Sequence, residues 1–367
     1  MKIVHILPDM HTGGAQKLCI DICNELAENK ENEIVLLSVE KLTDQQQIMY
    51  QKLGDKVEFI SVGKEGKSPF IIFKVAKAIK AIKPDVTHTH IRGQLLAALG
   101  LILYGKPNIH TIHNVADKEL PMSRLRIHKL LYKFFNFTPV SISDQILESA
   151  KVFYDNKYPL KIDNGTAKLE PTEAYEETKT FMRGLRKDEN TKIFVSMGRL
   201  FPVKNQELMI EATENLIAEG VDVQLVILGS SDVVPEYAKK CEAMIKSKGN
   251  IHLRGEVSNV ADYLLESDFL CFSSTYEGLP IAIIEAMSIG VPTVSTPVGG
   301  VPDVVMEGDT GFLSEDLSVA SFAAAMKRAV DDTSVSKERL LTFFEERFSI
   351  EKCANQYLEL YKEKVQS

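Results

Sequence analysis

Short apolar runs rich in β-branched residues alternate with longer amphipathic segments along this chain, and the alternation stops once and then restarts. Residues 2–7 predict a buried strand, 15–29 a helix behind a glycine pair, 33–39 a strand and 68–82 a helix with apolar positions three and four apart. Then come a strand at 86–90, a buried helix at 93–103 and a strand at 108–113. Strands separated by helical segments require a mostly parallel sheet covered by helices on both faces. Between about 167 and 190 the rhythm gives way to a polar stretch, read as a linker and a first surface helix. It resumes with strands at 193–197, 223–228, 251–253, 269–273 and 293–295, and helices at 205–218, 234–248, 260–266 and 280–289. The expected fold class is therefore α/β: two Rossmann-like doubly wound domains facing across a cleft. The expected boundaries are 1–168 for the first domain, 169–190 for the linker and surface helix, and 191–345 for the second domain. Residues 346–367 are expected to form a C-terminal helix packing back on the first.

A chain of 367 residues, 44% hydrophobic and 26% charged, can bury two cores without cross-links. Its five cysteines include no Cys-x-x-Cys pair. Cys19 and Cys23 stand four apart on an expected helix, yet no ligand cluster follows them, so buried thiols in a reducing compartment are expected. The apolar run at the N-terminus is too short for a signal peptide, and the longest, 95–104, is half of what a membrane span needs. A cytoplasmic protein is expected, with contact at the inner face of the membrane left open. The net charge of −8 argues against nucleic acid as a partner. That charge is unevenly spread, with residues 1–165 at +4 and residues 166–367 at −12.

In doubly wound sheets, ligands bind at the carboxyl ends of the strands, so the chemistry is expected in the loops there. Gly13-Gly14 follows the first strand and opens a helix, where bare backbone and free N–H groups suit a phosphate; a plain tight turn is the alternative. Arg199 and Lys204 follow the first strand of the second domain, beyond Gly198. A planar cation and a point cation in an otherwise acidic half suit a diphosphate, against the alternative of two solvated charges. In Ser273-Ser274-Thr275-Tyr276-Glu277-Gly278-Leu279-Pro280 a strand ends and a helix begins, and Glu285 lies on that helix. Two carboxylates with the free backbone N–H groups of the segment 278–281 between them match a ligand of polyol, diphosphate and polyol. Pro280 itself, lacking an N–H, suits the first helical turn. His113 ends a strand of the first domain and can reach a ligand. Strand alternation puts His88 and His90 on one face but His110 and His113 on opposite faces, so no metal site is expected.

These residues together resemble the retaining GT-B glycosyltransferases of family 4. The resemblance spans nearly the whole chain and is strongest from Gly198 to Leu313. It rests on Glu277-Gly278-Leu279-Pro280, Glu285-Ala286-Met287, Gly290-Val291-Pro292, Gly299-Gly300-Val301-Pro302-Asp303 and Gly311-Phe312, with Gly198-Arg199 and Lys204-Asn205 before them. Weaker markers are Gly13-Gly14-Ala15-Gln16, Thr111-Ile112-His113-Asn114, Ser141-Ile142-Ser143 and Asp163-Asn164-Gly165. The chain departs from the family at Gly229-Ser230-Ser231-Asp232, where Gly-x-Gly is usual, and at Asp303, where Glu is common.

The resemblance implies a nucleotide-sugar donor as substrate, with no cofactor and no metal. By it Arg199 and Lys204 neutralise the leaving diphosphate, Glu277 holds hydroxyls of the transferred sugar and Glu285 the ribose. Gly14 and the segment Leu279, Pro280 and Ile281 approach phosphate and sugar, His113 sits beside the transferred sugar, and residues near Leu253 and Val257 line the base pocket. The first domain becomes the acceptor side and the second the nucleotide-sugar side. The expected reaction moves a sugar from a UDP- or GDP-linked donor to a glycan or lipid-linked acceptor in cell-surface polysaccharide synthesis. A sugar-nucleotide 2-epimerase of the same architecture and a non-catalytic sugar-nucleotide-binding protein are the competing readings. Residues 121–139, basic and aromatic, read either as a membrane-surface helix or as a core helix with a solvated basic face.

Overall fold

The computed structural model describes residues 1–64, 70–114, 122–154, 160–332 and 334–367, with side chains omitted at residues 64 and 122–125. The chain forms two compact units, Met1–Thr166 with Arg347–Ser367, and Ala167–Glu346. Each is built on one six-stranded sheet in which every pairing is parallel. Both units thus have the doubly wound α/β character expected from the alternation of strand and helix.

In the first unit the strands are β1 (Lys2–Leu7), β2 (Glu33–Glu40), β3 (Glu58–Lys64), β4 (Val86–His90), β5 (Asn108–Ile112) and β6 (Phe137–Ser141), in the order β3-β2-β1-β4-β5-β6. In the second they are β7 (Lys192–Met197), β8 (Val223–Leu228), β9 (Ile251–Gly255), β10 (Phe269–Phe272), β11 (Thr293–Ser295) and β12 (Gly311–Leu313), in the order β12-β11-β10-β7-β8-β9. Each chain path winds outward in one direction, returns to the centre and winds the other way. The reversal falls between β1 and β4 in the first unit and between β7 and β10 in the second. Loops leaving those strands diverge to opposite faces and leave a crevice at the strands' carboxyl ends.

Three strands were not anticipated from the sequence: β3, β6 and β12. All three lie at sheet edges. An edge strand pairs on one side only and can carry residues a central strand excludes, such as Pro139 in β6, which has no N–H to donate. The helix anticipated at 234–248 is Pro235–Met244. Beyond it the Glu214 carboxylate accepts from the N–H of Lys246 at 2.7 Å and of Ser247 at 2.8 Å, and so turns the chain out of the helix. The segment 121–139 is a helix, Met122–Phe134, followed by β6; residue 121 lies outside the described residues.

The polar stretch after Thr166 belongs to the second unit. Thr172 is fixed there by Asp262, which accepts from its N–H at 2.8 Å and its hydroxyl at 2.6 Å, and the surface helix Tyr175–Gly184 follows. The C-terminal helix Ile350–Gln366 belongs to the first unit and buries Cys353, Tyr357 and Tyr361 there. Ser349 caps it, accepting from the Lys352 N–H. All five cysteines are buried and free.

Candidate active site

In the second unit, β7 ends at Met197 and the chain turns through Gly198 into the segment carrying Arg199 and Lys204. The turn is tight against its neighbour: a Cβ on Gly229, after β8, would lie 2.0 Å from the Gly198 carbonyl oxygen. Only glycine fits there, and it is the single glycine kept where the family usually has two. Across the point of reversal, β10 ends at Phe272 and releases Ser273–Pro280. The two loops are bonded to each other. The Thr275 N–H donates to the Val203 carbonyl at 2.8 Å, and the Ser273 hydroxyl reaches the carbonyls of Lys204 and Asn205 at 3.0 and 2.8 Å.

This brings Lys204 and Glu277 together. Lys204 Nζ donates to Glu277 Oε1 at 2.6 Å, and the Ser274 hydroxyl donates to the same oxygen at 2.9 Å. The ammonium also stands 5.0 Å from the centre of the Phe272 ring. Glu277 is held from behind as well. Gly299 has φ +59, and a Cβ on it would lie 1.8 Å from the Glu277 carbonyl oxygen, while the Gly300 N–H donates to the Gly278 carbonyl at 2.6 Å. The Gly-Gly pair after β11 is thus what lets the Glu277 loop lie where it does.

Arg199 is exposed, and its guanidinium has no hydrogen-bond or ion-pair partner among the described residues. Its backbone carbonyl accepts from the Gln206 side chain at 3.0 Å, so the chain at Arg199 is fixed while the charged fork is free for a ligand. Glu285 lies in the helix Ile281–Ser288 with only 6% of its surface exposed. Leu279, Pro280 and Ile281 are buried at the start of that helix, whose N-cap position is Pro280. A pocket of about 330 Å³ lies beyond the carboxyl ends of β7, β8 and β9, lined by Leu200, Gly229, Asp232, Leu253 and Gly255 among others. Leu253 borders it, and Val257 is not among its lining residues.

The first unit carries a second group at its own point of reversal. Gly13 and Gly14 stand between β1 and the helix Gly14–Ala27. Asp9 organises that loop, accepting from the Gln16 side chain at 2.9 Å and from the His11 N–H at 3.2 Å, and it lies 3.8 Å from Arg92 beyond β4. Between β4 and Arg92, Ile91 takes φ +50, an uncommon conformation for a β-branched residue. Neither Asp9 nor Arg92 was singled out from the sequence, because a lone Asp and a lone Arg carry no motif.

His113 is half-buried just beyond β5 and bonded to His90, Nε2 to Nδ1 at 3.2 Å. His88 and His90 share one face with His5, while His110 turns to the other face and bonds Thr89. This is the alternation expected of strand residues. Burial, with repulsion among the rings, holds His88, His90 and His110 well below the ordinary imidazole range, and burial lowers His113 to about 3. These four rings are neutral at physiological pH. His5, His90 and Cys19 nevertheless offer three ligand atoms within 4.8 Å of one another, a grouping not foreseen from sequence because it spans β1, its following helix and β4.

Residues 177–342 match the glycosyl transferases group 1 family, and residues 12–146 match glycosyltransferase family 4. The chain is 27% identical to the UDP-Gal:alpha-D-GlcNAc-diphosphoundecaprenol alpha-1,3-galactosyltransferase of Escherichia coli, over 90% of this chain and 88% of that one. It is 24% identical to the capsular polysaccharide biosynthesis glycosyltransferase CapH of Staphylococcus aureus, over 100% of this chain and 99% of that one. Its fold is similar to that of Anabaena HepE in complex with UDP-glucose, with a TM-score of 0.81 at 18% identity over 99% of this chain and 100% of that one. The chain belongs to the family 4, or group 1, glycosyltransferases and has their GT-B fold.

Proposed function

We propose that this glycosyltransferase is a retaining enzyme that moves a sugar from a UDP-sugar to a lipid-linked saccharide during assembly of a surface polysaccharide. The observation that carries the reading is the hydrogen bond between Lys204 and Glu277 where the second sheet reverses, on the segment that also carries Arg199 and whose Leu200 lines a pocket of about 330 Å³. Such a pocket accommodates a nucleoside, and the cations beside it neutralise a diphosphate. The names of the Escherichia coli relative and of the Anabaena structure favour UDP over GDP as the carrier. The first also favours a diphosphoundecaprenol-linked acceptor.

In the proposed step the bond between the anomeric carbon and the diphosphate oxygen breaks, and the acceptor hydroxyl oxygen bonds to that carbon from the same face. The acceptor's proton passes to the departing phosphate oxygen. Arg199 meets the leaving diphosphate with a guanidinium that has no partner to give up among the described residues. Lys204 exchanges part of its bond with Glu277 for phosphate oxygens, which frees Glu277 to accept from sugar hydroxyls. Cations fixed where charge develops lower the barrier most, and two of them stand in for a metal ion. Glu285 is assigned to the ribose, and His113, Gly13 and Gly14 to the transferred sugar and the acceptor side.

Purified enzyme incubated with UDP-galactose, UDP-glucose or UDP-N-acetylglucosamine and a polyprenyl-diphosphate saccharide is expected to form an α-linked product in the presence of EDTA. An inverted anomeric centre would refute retention, and loss of turnover in EDTA would refute metal independence. Donor incubated alone and recovered as its 2-epimer would instead identify an epimerase.

Peripheral attachment is proposed through the helix Met122–Phe134. Ile127, Leu130 and Phe134 are exposed there, with Phe135 following and Arg126 and Lys133 exposed among them. Apolar and cationic groups side by side suit an anionic lipid surface. No described helix is long and apolar enough to cross a membrane. Flotation with anionic liposomes at low salt checks the attachment, and absence of binding would remove it.

A further inference from the structure

His113 ends a file of imidazoles that crosses the core of the first unit. His5 stands on β1 directly opposite His88 on β4, and His90, two residues further along, lies on the same face. His5 Nδ1 is 3.2 Å from His90 Nε2, and His90 Nδ1 is 3.2 Å from His113 Nε2. His5 and His90 are fully buried. Each nitrogen–nitrogen contact needs one N–H and one lone pair, so a proton assigned to any neutral ring in the file assigns all three.

The inner end decides the direction. Nε2 of His5 is buried and has no hydrogen-bond partner among the described residues. Were the protons to point inward, His5 would carry an N–H there with no acceptor but the weak sulfur of Cys23, close to the arrangement that folded proteins most avoid. With the protons pointing outward, Nδ1–H of His5 donates to His90, with Cys19 Sγ as a second, weaker acceptor at 3.7 Å, and only a lone pair is left bare inside. A cation seated among His5, Cys19 and His90 would lead to the same end. Bound to Nε2 of His90, it too would leave that ring's proton on Nδ1. A doubly protonated His113 would donate to His90 and turn the file inward, onto the same bare Nε2 of His5.

We propose that His5 and His90 fix the tautomer of His113, so that its ring presents Nδ1–H as a neutral hydrogen-bond donor at the carboxyl end of β5. His90 is then a positioning residue. His113 is a donor to a substrate oxygen and not a base, since the lone pair of its Nε2 is taken up by His90. Selection follows from this: the position takes a hydroxyl or carbonyl oxygen with a free lone pair and rejects a group that can only donate. The inference rests on the proposed function only in supplying a sugar oxygen for that N–H to meet.

The test is made on the unliganded full-length enzyme, so its outcome is independent of the donor and acceptor assignments. With ¹⁵N-labelled histidine, long-range ¹H–¹⁵N correlations distinguish the two tautomers, and the spectrum of His113→Gln identifies the His113 signals. At pH 7 His113 is expected as the Nδ1–H form, against the preference of a free imidazole for Nε2–H. His90→Leu removes the donor and is expected to return His113 to Nε2–H. His90→Asn, whose amide nitrogen can replace Nδ1, is expected to restore the Nδ1–H form. An Nε2–H or charged His113 in the unsubstituted enzyme overturns the proposal, as does an Nδ1–H form that survives His90→Leu. Should His90→Leu fail to fold, the unsubstituted and His90→Asn spectra decide.

Discussion

The two sheets share one topology and differ in where they keep their polar groups. Seven of the eight histidines belong to the first unit. His5, His88, His90 and His110 are buried in its strands, with Tyr357 and Tyr361 of the C-terminal helix bonded into the same layer. The second unit instead buries an apolar cluster that includes Phe194, Leu225, Ile227, Phe312 and Phe322. Its chemistry sits in loops beyond the strand ends, at Arg199, Lys204 and Glu277. A sheet with apolar strands can hold charged loops rigidly at little risk to its core. A sheet with imidazoles in its strands ties the state of its core to protonation.

The largest separation between the units is expected in acid. Rings held below the ordinary imidazole range bind protons only on unfolding, so stability is complete above about pH 6.5 and falls as the pH drops from there toward the folded values. For His88, His90, His110 and His113 the loss is about 1.4 kcal/mol per ring for each pH unit below 6.5. His128, lowered to about 4, adds to it. In the second unit His252 is the one histidine and is lowered too, and the lowered carboxylates, Glu214, Asp222, Asp309 and Asp316, weaken that unit only near pH 4 and below. Hydrogen exchange followed by mass spectrometry, corrected for intrinsic rates, should show the first unit opening between pH 6.5 and 5 while the second stays protected. Equal loss in both would break the comparison.

Truncating the apolar core should act the other way. Phe194 is fully buried and stacked on Phe269 with ring centres 5.0 Å apart. Phe194→Ala is expected to cost the second unit about 3–5 kcal/mol at any pH from 6 to 8, read by denaturant unfolding. A loss that varied with pH over that range would contradict an apolar core. Lys204→Ala should sharpen the contrast between core and loop. It is expected to lower turnover by about 10²–10³-fold with little change in melting temperature. A large drop in melting temperature with near-normal turnover would make Lys204 a structural partner of Glu277 and nothing more.

Tyr361→Phe is the smallest change. It removes the hydroxyl 2.5 Å from His88 Nδ1 and leaves that buried nitrogen without its partner. A loss of about 1–3 kcal/mol is expected in the first unit alone. An unchanged stability would mean that the tyrosine contributes packing rather than a hydrogen bond.

Much of this was legible in the chain. Central strands such as β1, β4, β7 and β8 are continuous apolar or β-branched runs, and the glycines, cations and glutamates of the second unit fall at their ends. The edges β3, β6 and β12 were not legible, because β12 is only three residues long, β6 carries Pro139 and β3 carries Gly63, each of which weakens a strand pattern. Asp9 and Arg92 were missed because their meaning comes from standing 3.8 Å apart across the reversal between β1 and β4. Tyr361 reaches His88 across 273 residues of sequence, a separation over which no local pattern carries information.

The sequence by itself determined the alternation of strand and helix, and hence two parallel sheets, and it set which residues stand at the strand ends. Those follow from side-chain periodicity and turn chemistry, which act over a few residues. Only the tertiary structure decided that Lys204 and Glu277 share a hydrogen bond and that His5, His90 and His113 fall into one file. Both depend on strand order and register, which are set when distant segments pair, and no single segment specifies them alone.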